Sequence, residues 1–253
     1  MSIKHVGSMT VAAHRGDSYN YYENTMTAYK KAIECGSDMI ETDVHLTADG
    51  VLVLIHDHKV DRTTNGKGDV AGFTYEELKK LNAGDTDNPE EIPLFESLLE
   101  LLKDTEITLN IEIKEYFSKE NEQRCVKCIE DVIALVEKYN MGDRILLNSF
   151  DAWVLEYVYK KYGKKYMLHG FYPYDIMSNV SLNPDDYLYC ACIFDDMNKD
   201  LYDYLSSKNI ETWIGAGVTQ EGLLGVCAKL GAKLVTTNNP KDALEKLKRL
   251  GLR

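Results

Sequence analysis

Four short segments hold the ionisable residues whose types and spacing could do chemistry. They are Ala13-His14-Arg15-Gly16, Glu41-Thr42-Asp43, His56-Asp57 and Glu112-Ile113-Lys114. In an extended chain, residues i and i+2 share a face. Glu41 and Asp43 therefore point one way together, as do Glu112 and Lys114. Three carboxylates brought to one place repel one another unless a cation compensates them. Oxygen donors without a paired Cys or His select a hard divalent ion, Mg²⁺ or Ca²⁺, over zinc. Such an ion, with Arg15 and Lys114, would hold a phosphate, and two histidines could exchange protons with its entering and leaving oxygens. Singly these segments say little. A Glu-x-Asp is commonly a solvent-facing pair, a His-Arg-Gly can sit in any turn, and a lysine at a strand end is usually solvated. Their joint occurrence carries the reading.

The elements that must position these residues follow a repeating rhythm of a short apolar run and then a helical pattern. Strands are expected at 9–13, 38–44, 108–113, 144–150, 166–171, 187–193, 210–215 and 234–237. Helices are expected at 24–35, 94–102, 119–139, 151–162, 198–206 and 220–230, and from Pro240 onward. Asn24, Asp151, Asn198 and Asn239 are candidate N-caps, and Gly36 is a candidate C-terminal stop. Strands separated by helices need parallel crossovers. Eight such units in 253 residues fit a closed (β/α)8 TIM barrel in a single domain, whose active site lies at the C-terminal strand ends. All four segments fall there. One stretch, about 46–92, breaks the rhythm with an Asp49-Gly50 turn, the apolar run 51–55, a polar loop at Asn65-Gly66-Lys67-Gly68 and a Thr74-x-x-Glu77 capping box. It reads as an insertion after the second strand. His169 ends its strand at the barrel mouth, within reach of a substrate. His45 shares a face with Glu41 and Asp43, in a supporting position, whereas His58 reads as solvated and His5 as remote.

Composition excludes several classes. The net charge of −12 is a poor match to nucleic acid, which needs a basic footprint, and to a polybasic membrane anchor. A 44% hydrophobic content is enough for a core. No run of 18 apolar residues exists, so no membrane span is expected. The polar start, Met1 to Val11, does not read as an export signal. Six cysteines in so long a chain then read as reduced thiols, and the expected location is cytoplasmic. Cys125-Val-Lys-Cys128 has no partner motif and lies in a helical pattern, so it reads as a helix face.

The ordered blocks resemble the glycerophosphodiester phosphodiesterase family over nearly the whole chain, most strongly over 10–115. The matching stretches are Ala13-His14-Arg15-Gly16, Glu23-Asn24-Thr25, Glu41-Thr42-Asp43-Val44, Leu46-Thr47-x-Asp49-Gly50 and His56-Asp57. Then come Asp61 to Gly66, Ile92-Pro93-Leu94, Asn110 to Lys114, Ser149-Phe150 and Trp213. The resemblance implies a barrel with a small insertion after strand 2. It also implies metal-dependent hydrolysis of a glycerophosphodiester to glycerol phosphate and an alcohol. His14 and His56 match the family's general acid and base, and Glu41, Asp43 and Glu112 its divalent-metal ligands. Arg15 matches the phosphate-binding arginine, Lys114 a cation near the phosphate and Glu23 an acidic residue near the first histidine. Trp213, and less strongly Phe150, match an aromatic wall for glycerol or leaving group. The chain departs from the family in having Tyr22 for the usual Pro before Glu-Asn-Thr, Ile214-Gly215-Ala216 for Thr-Val-Asn, and Thr237-Asn238 for Thr-Asp. These departures touch the substrate side of the pocket. A barrel acting on a lipid phosphodiester (lysophospholipase D or sphingomyelinase D type) would share the same histidines and metal ligands. A non-catalytic phosphodiester-binding barrel would be expected to lose one of them.

Overall fold

In a closed parallel barrel, alternate side chains of each strand point inward and the rest face the surrounding helices. The chain's apolar residues divide accordingly in the computed structural model, which describes residues 2–253. The elements run β1 (Thr10–His14), α1 (Met26–Glu34), β2 (Met39–Leu46), β3 (Leu52–Leu54), α2 (Tyr75–Leu78), α3 (Phe95–Leu102), β4 (Thr108–Ile113) and α4 (Glu122–Lys138). They continue β5 (Ile145–Asn148), α5 (Ala152–Tyr162), β6 (Met167–Phe171), β7 (Cys190–Ile193), α6 (Lys199–Ser207), β8 (Glu211–Ile214), α7 (Glu221–Leu230), β9 (Leu234–Thr237) and α8 (Pro240–Arg249). Eight parallel strands pair in the order β1-β9-β8-β7-β6-β5-β4-β2, and β1 pairs with β2 to close the ring. The expected (β/α)8 barrel is therefore present. Between β6 and β7 the crossover uses two short 3₁₀ turns rather than an α-helix.

Outward-facing residues such as Val11, Ala13, Ile40, Leu109 and Ile111 form one core with the apolar faces of the helices. Inside the barrel, Ala12, Met39, Leu146, Met167, Cys190, Trp213 and Leu234 fill the lower end, with Ile3 against them. Residues two further along the same strands line the open end. Cys125 and Cys128 lie on the buried face of α4, and all six cysteines are unpaired. No helix among the described residues is long and apolar enough to cross a membrane.

The stretch after β2 does leave the barrel. β3 pairs antiparallel with the extended end of β2, and Val53, Ile55, Val60, Val70, Leu78, Ala83 and Ile92 pack into a small core of their own. The capping box forms, with the Thr74 N–H donating to Glu77 Oε2 at 2.8 Å. Asp151, Asn198 and Asn239 cap as expected. At α1 the cap is Thr25, not Asn24. Asn24 sits at φ +55°, and its side chain turns inward to the carboxylates instead.

A half-buried ion pair anchors the junction of barrel and insertion. Glu115 accepts from the Leu46 N–H at 3.0 Å and from Arg124 Nε at 2.7 Å, while Arg124 also donates to the Leu46 and Thr47 carbonyls. Burial opposes ionisation of Glu115, but His45, Arg124 and the Leu46 N–H outweigh it and hold its pKa at about 2, against 4.5 for a free Glu. A depressed folded-state pKa adds stability above the unfolded value, and that stability is lost as pH falls through the folded value. Glu115→Gln should therefore cost about 2–3 kcal/mol at pH 7, the scale of such a shift. The difference from wild type should shrink as urea unfolding is repeated from pH 4.5 down toward 2. A constant difference over that range would contradict the ionic account.

Candidate active site

The strand register brings the four segments together. His14 pairs with Glu41 across β1 and β2. Asp43 pairs with Glu112 across β2 and β4, and Glu112 with Asn148 of β5. Glu41, Asp43 and Glu112, all buried, each offer a carboxylate oxygen, and these oxygens lie within 4.8 Å of one another. Burial and repulsion from Asp43 and Glu112 push the Glu41 pKa well above the usual range, and burial with Asp43 raises that of Glu112. Burial would also raise Asp43, but Lys114, Arg15 and the Asn24 amide hold it below its ordinary value. Asp43 Oδ1 is buried without a hydrogen-bond donor, although Lys114 Nζ lies 3.1 Å away. Crowded, mutually repelling carboxylate oxygens, one of them lacking a donor, suit a hard divalent cation. Lys114 is buried here, with its ammonium 2.5 Å from Glu112 Oε1, so the solvated reading of this lysine does not hold.

Gly16 lets α1 approach the strand end. It adopts φ +82°, and a Cβ there would fall 2.6 Å from the Ala28 carbonyl carbon. Beside it, Arg15 is itself left-handed at φ +57°, which aims its guanidinium back over the carboxylates. Its Nη1 is 2.8 Å from Glu23 Oε1 and its Nε 3.4 Å from Asp43 Oδ2. Glu23 is doubly bound by Arg62, and Arg62 also donates to Asp57 from Nε at 2.7 Å. Asp57 Oδ1 is 2.6 Å from His56 Nδ1. A continuous chain of charges thus runs from Arg15 to His56 and ties the insertion to the first strand.

The two imidazoles are held alike. His14 Nδ1 is 2.6 Å from Asn238 Oδ1, and His56 Nδ1 is held by Asp57. Each acceptor fixes the proton on Nδ1 and leaves Nε2 as the basic atom. His14 Nε2 lies 3.9 Å from Glu41 Oε2. Burial and Arg15 lower the His14 pKa to about 4, and burial lowers that of His56. His45 Nε2 is 3.2 Å from the His56 carbonyl, supporting the loop from behind.

A cavity of about 270 Å³ connects these groups to the rest of the barrel mouth. His14, Arg15, Glu41, His56 and Glu112 line one side, and Phe150, Phe171, Cys192, Phe194, Gly215 and Ala216 the other. His169 lines it as well, from within its strand. Burial lowers its pKa to about 3, so the ring is neutral. Its Nδ1 is 3.1 Å from the Asn110 amide, and its Nε2 has no partner. Trp213 is a correction. It lies one layer lower, fully buried, with Nε1 donating to Glu211 Oε2 at 3.1 Å and its ring 4.8 Å beneath that of His169. It is absent from the cavity wall because Gly215, two residues on, takes that position. A larger cleft of about 830 Å³ between Tyr19–Tyr22 and the insertion shares Glu23 and Arg62 with the charge chain. It contains neither histidine and none of the three clustered carboxylates, so the chemistry belongs to the smaller cavity. Tyr22, in the position of the family's proline, donates to Asp85 Oδ2 at 2.6 Å across that cleft.

The sequence identifies Asn24 only as a helix cap and places neither Arg62 nor Asn238 in the site. Asn24 Nδ2 donates to Asp43 Oδ2 at 2.8 Å while its Oδ1 accepts from Tyr29. The signal for Asn238 was its place at the C-terminal end of the last strand.

The sequence profile of the glycerophosphoryl diester phosphodiesterase family matches residues 14–182. The chain belongs to that family. A glycerophosphodiester phosphodiesterase of Bacillus altitudinis is 37% identical over 187 residues, 70% of each chain. One of Caldanaerobacter subterraneus subsp. tengcongensis is 45% identical over 156 residues, 59% of this chain and 61% of that one. The chain thus aligns with less than two thirds of the latter's length. Among solved structures, a glycerophosphodiester phosphodiesterase of Agrobacterium tumefaciens superposes with a TM-score of 0.75 at 22% identity, covering 92% of this chain and 98% of that one. An Oleispira antarctica phosphodiesterase in complex with the product sn-glycerol-3-phosphate superposes with a TM-score of 0.78 at 22% identity, covering 94% and 96%. These two show the family's barrel fold.

Proposed function

We propose that the chain hydrolyses glycerophosphodiesters to glycerol phosphate and an alcohol. The observation that carries the reading is two Nδ1-anchored histidines facing one cavity with Arg15 and a buried three-carboxylate cluster. A divalent ion, Mg²⁺ or Ca²⁺, held by Glu41, Asp43 and Glu112, would supply charge neutralisation at the non-bridging phosphate oxygens. Arg15, already turned over the cluster, adds a forked donor set for the same oxygens. His14, backed by a neutral amide, is suited to take a proton at Nε2 from the nucleophile, whether water or the substrate's own 2-hydroxyl. His56, backed by the Asp57 carboxylate, is better stabilised as an imidazolium and is suited to protonate the leaving oxygen. On the floor, His169 Nε2 and Asn148 Oδ1 are buried without partners, a pair able to meet glycerol hydroxyls. The intact set of histidines and carboxylates favours an enzyme over a binding module. The test is turnover of glycerophosphocholine, -ethanolamine, -glycerol and -inositol with and without chelator. Release of glycerol phosphate from at least one of them is expected, and release from none would sink the reading.

Lys114 tests the electrostatics. Its ammonium contacts two of the three cluster carboxylates, where a point charge offsets negative charge developing on a neighbouring phosphate. Lys114→Met should lower kcat by about 10²-fold, the order expected for one electrostatic stabiliser, with metal affinity unchanged or raised. If instead Lys114 only neutralises the carboxylates before an ion binds, metal affinity rises and kcat stays within about twofold.

A further inference from the structure

One member of the charge chain touches both halves of the site. Arg62 sits in a short turn of the insertion, where the Thr64 N–H and hydroxyl both donate to the Val60 carbonyl, at 3.0 and 2.8 Å, and Val60 is buried in the insertion's small core. From that anchored turn the guanidinium meets two carboxylates of different segments. Its Nη1 and Nη2 donate to Glu23 Oε2 and Oε1 at 2.8 and 2.7 Å, and its Nε and Nη2 to Asp57 Oδ2 and Oδ1 at 2.7 and 3.0 Å. A planar fork suits this double grip, whereas an ammonium offers one point of charge. The two grips lead to opposite ends of the chain. Glu23 Oε1 also accepts from Arg15 Nη1 at 2.8 Å, and Asp57 Oδ1 lies 2.6 Å from His56 Nδ1. Burial opposes ionisation of Glu23, and Arg62 leads Arg15 in outweighing it. Arg62 is likewise the first cause holding the Asp57 carboxyl below its ordinary range.

Each grip has a consequence at the reacting end. Glu23 and a bound phosphate compete for the Arg15 guanidinium, and the more of the Glu23 charge Arg62 neutralises, the more of Arg15 is left for phosphate. Asp57 is free to rotate about its own side chain unless its second oxygen is held, and rotation would take Oδ1 off His56 Nδ1 and release the ring. Arg62 lines the larger cleft and not the histidine cavity, so it acts through these partners. Resting on the proposed phosphodiesterase reading with His56 as the acid, we infer that Arg62 is a positioning residue for both binding and proton transfer. It draws Glu23 from Arg15, so that the guanidinium takes the phosphate. It also locks Asp57, so that the His56 imidazolium presents its Nε2 proton to the leaving oxygen. The insertion thus completes the site through one side chain.

The test reads Arg62→Met on two diesters, glycerophosphoethanolamine and a p-nitrophenyl glycerophosphodiester whose leaving oxygen needs no proton. The Arg62 side chain is 48% exposed, so its loss opens no hole in the core. Any fall in the folded fraction lowers both kcat values alike and cancels in their ratio. On the ethanolamine diester kcat should fall by about tenfold, part of the effect of a general acid, while on the p-nitrophenyl diester it stays within about twofold. KM should rise by about threefold to fivefold on both, the scale of one partly exposed ion pair. Adding Glu23→Gln removes the charge left competing for Arg15, so KM should return toward wild type while the kcat ratio stays altered. A kcat ratio equal to that of wild type overturns the inference and leaves the phosphodiesterase reading standing. So does a KM that Arg62→Met leaves unchanged or that the second substitution does not restore. If the wild-type chain turns over neither diester, that reading falls and the inference with it.

Discussion

His14→Ala and His56→Ala should each lower kcat by about 10²-fold or more, the usual scale of general acid–base catalysis, with each variant still folded. The two losses should differ in kind. His56 is backed by a carboxylate that is itself pinned by Arg62, whereas His14 is backed by an amide. If His56 protonates the leaving oxygen, a leaving group that needs no proton should bypass its loss. A p-nitrophenyl glycerophosphodiester should therefore restore most of the activity of His56→Ala and little of that of His14→Ala. The reverse pattern would exchange the roles, and near-normal turnover of glycerophosphoethanolamine by either variant would remove that histidine from the reaction. Asn238→Ala should act through His14. It frees Nδ1, so kcat should fall while KM changes little, and Asn238→Asp, which keeps an acceptor at that position, should recover part of the loss. Equal damage from both Asn238 variants would point to packing instead.

Much of the site was legible in the sequence because it is built on strands. The two-residue repeat fixes which side chains share a face, so the sequence alone pairs Glu41 with Asp43 and Glu112 with Lys114. The barrel then had to bring their strands together. The same repeat does not fix height in the barrel. Trp213 faces inward as expected, yet the register of Trp213 with Leu234 puts it in the lower packed layer, below the cavity. Height depends on the stagger between strands, which is set by eight pairings at once. Residues that reach the site from turns were the least legible. Asn24 has the sequence character of an N-cap, and the left-handed turn that points it at Asp43 instead depends on the close approach of α1 over Gly16. Arg62 joins Glu23 to Asp57 only because the insertion folds back over the first strand, a contact 39 residues away in sequence.

Removal of divalent ions should abolish turnover, and Mg²⁺ or Ca²⁺ should restore it. Readouts independent of activity follow from the same carboxylates. Without an ion, Glu41 and Glu112 titrate above the usual range because they are buried beside Asp43, so a proton on the cluster competes with the ion. An incoming cation must displace that proton, since a carboxylate binds a metal in its ionised form. Binding should release protons, and affinity should weaken as pH falls. Calorimetric titration in two buffers of different ionisation enthalpy measures the release directly. Because the ion binds the folded chain, a concentration 100 times Kd should stabilise it by about 2.7 kcal/mol, or roughly 5–10 °C in Tm for a chain of this size. Glu41→Gln keeps the shape and removes one charge, and it should abolish both the proton release and the thermal shift. Zinc as the strongest activator would argue against the hard-ion reading of an all-oxygen cluster. Full activity in chelator would mean that Arg15 and Lys114 alone compensate the phosphate, and that the three carboxylates serve the fold rather than an ion.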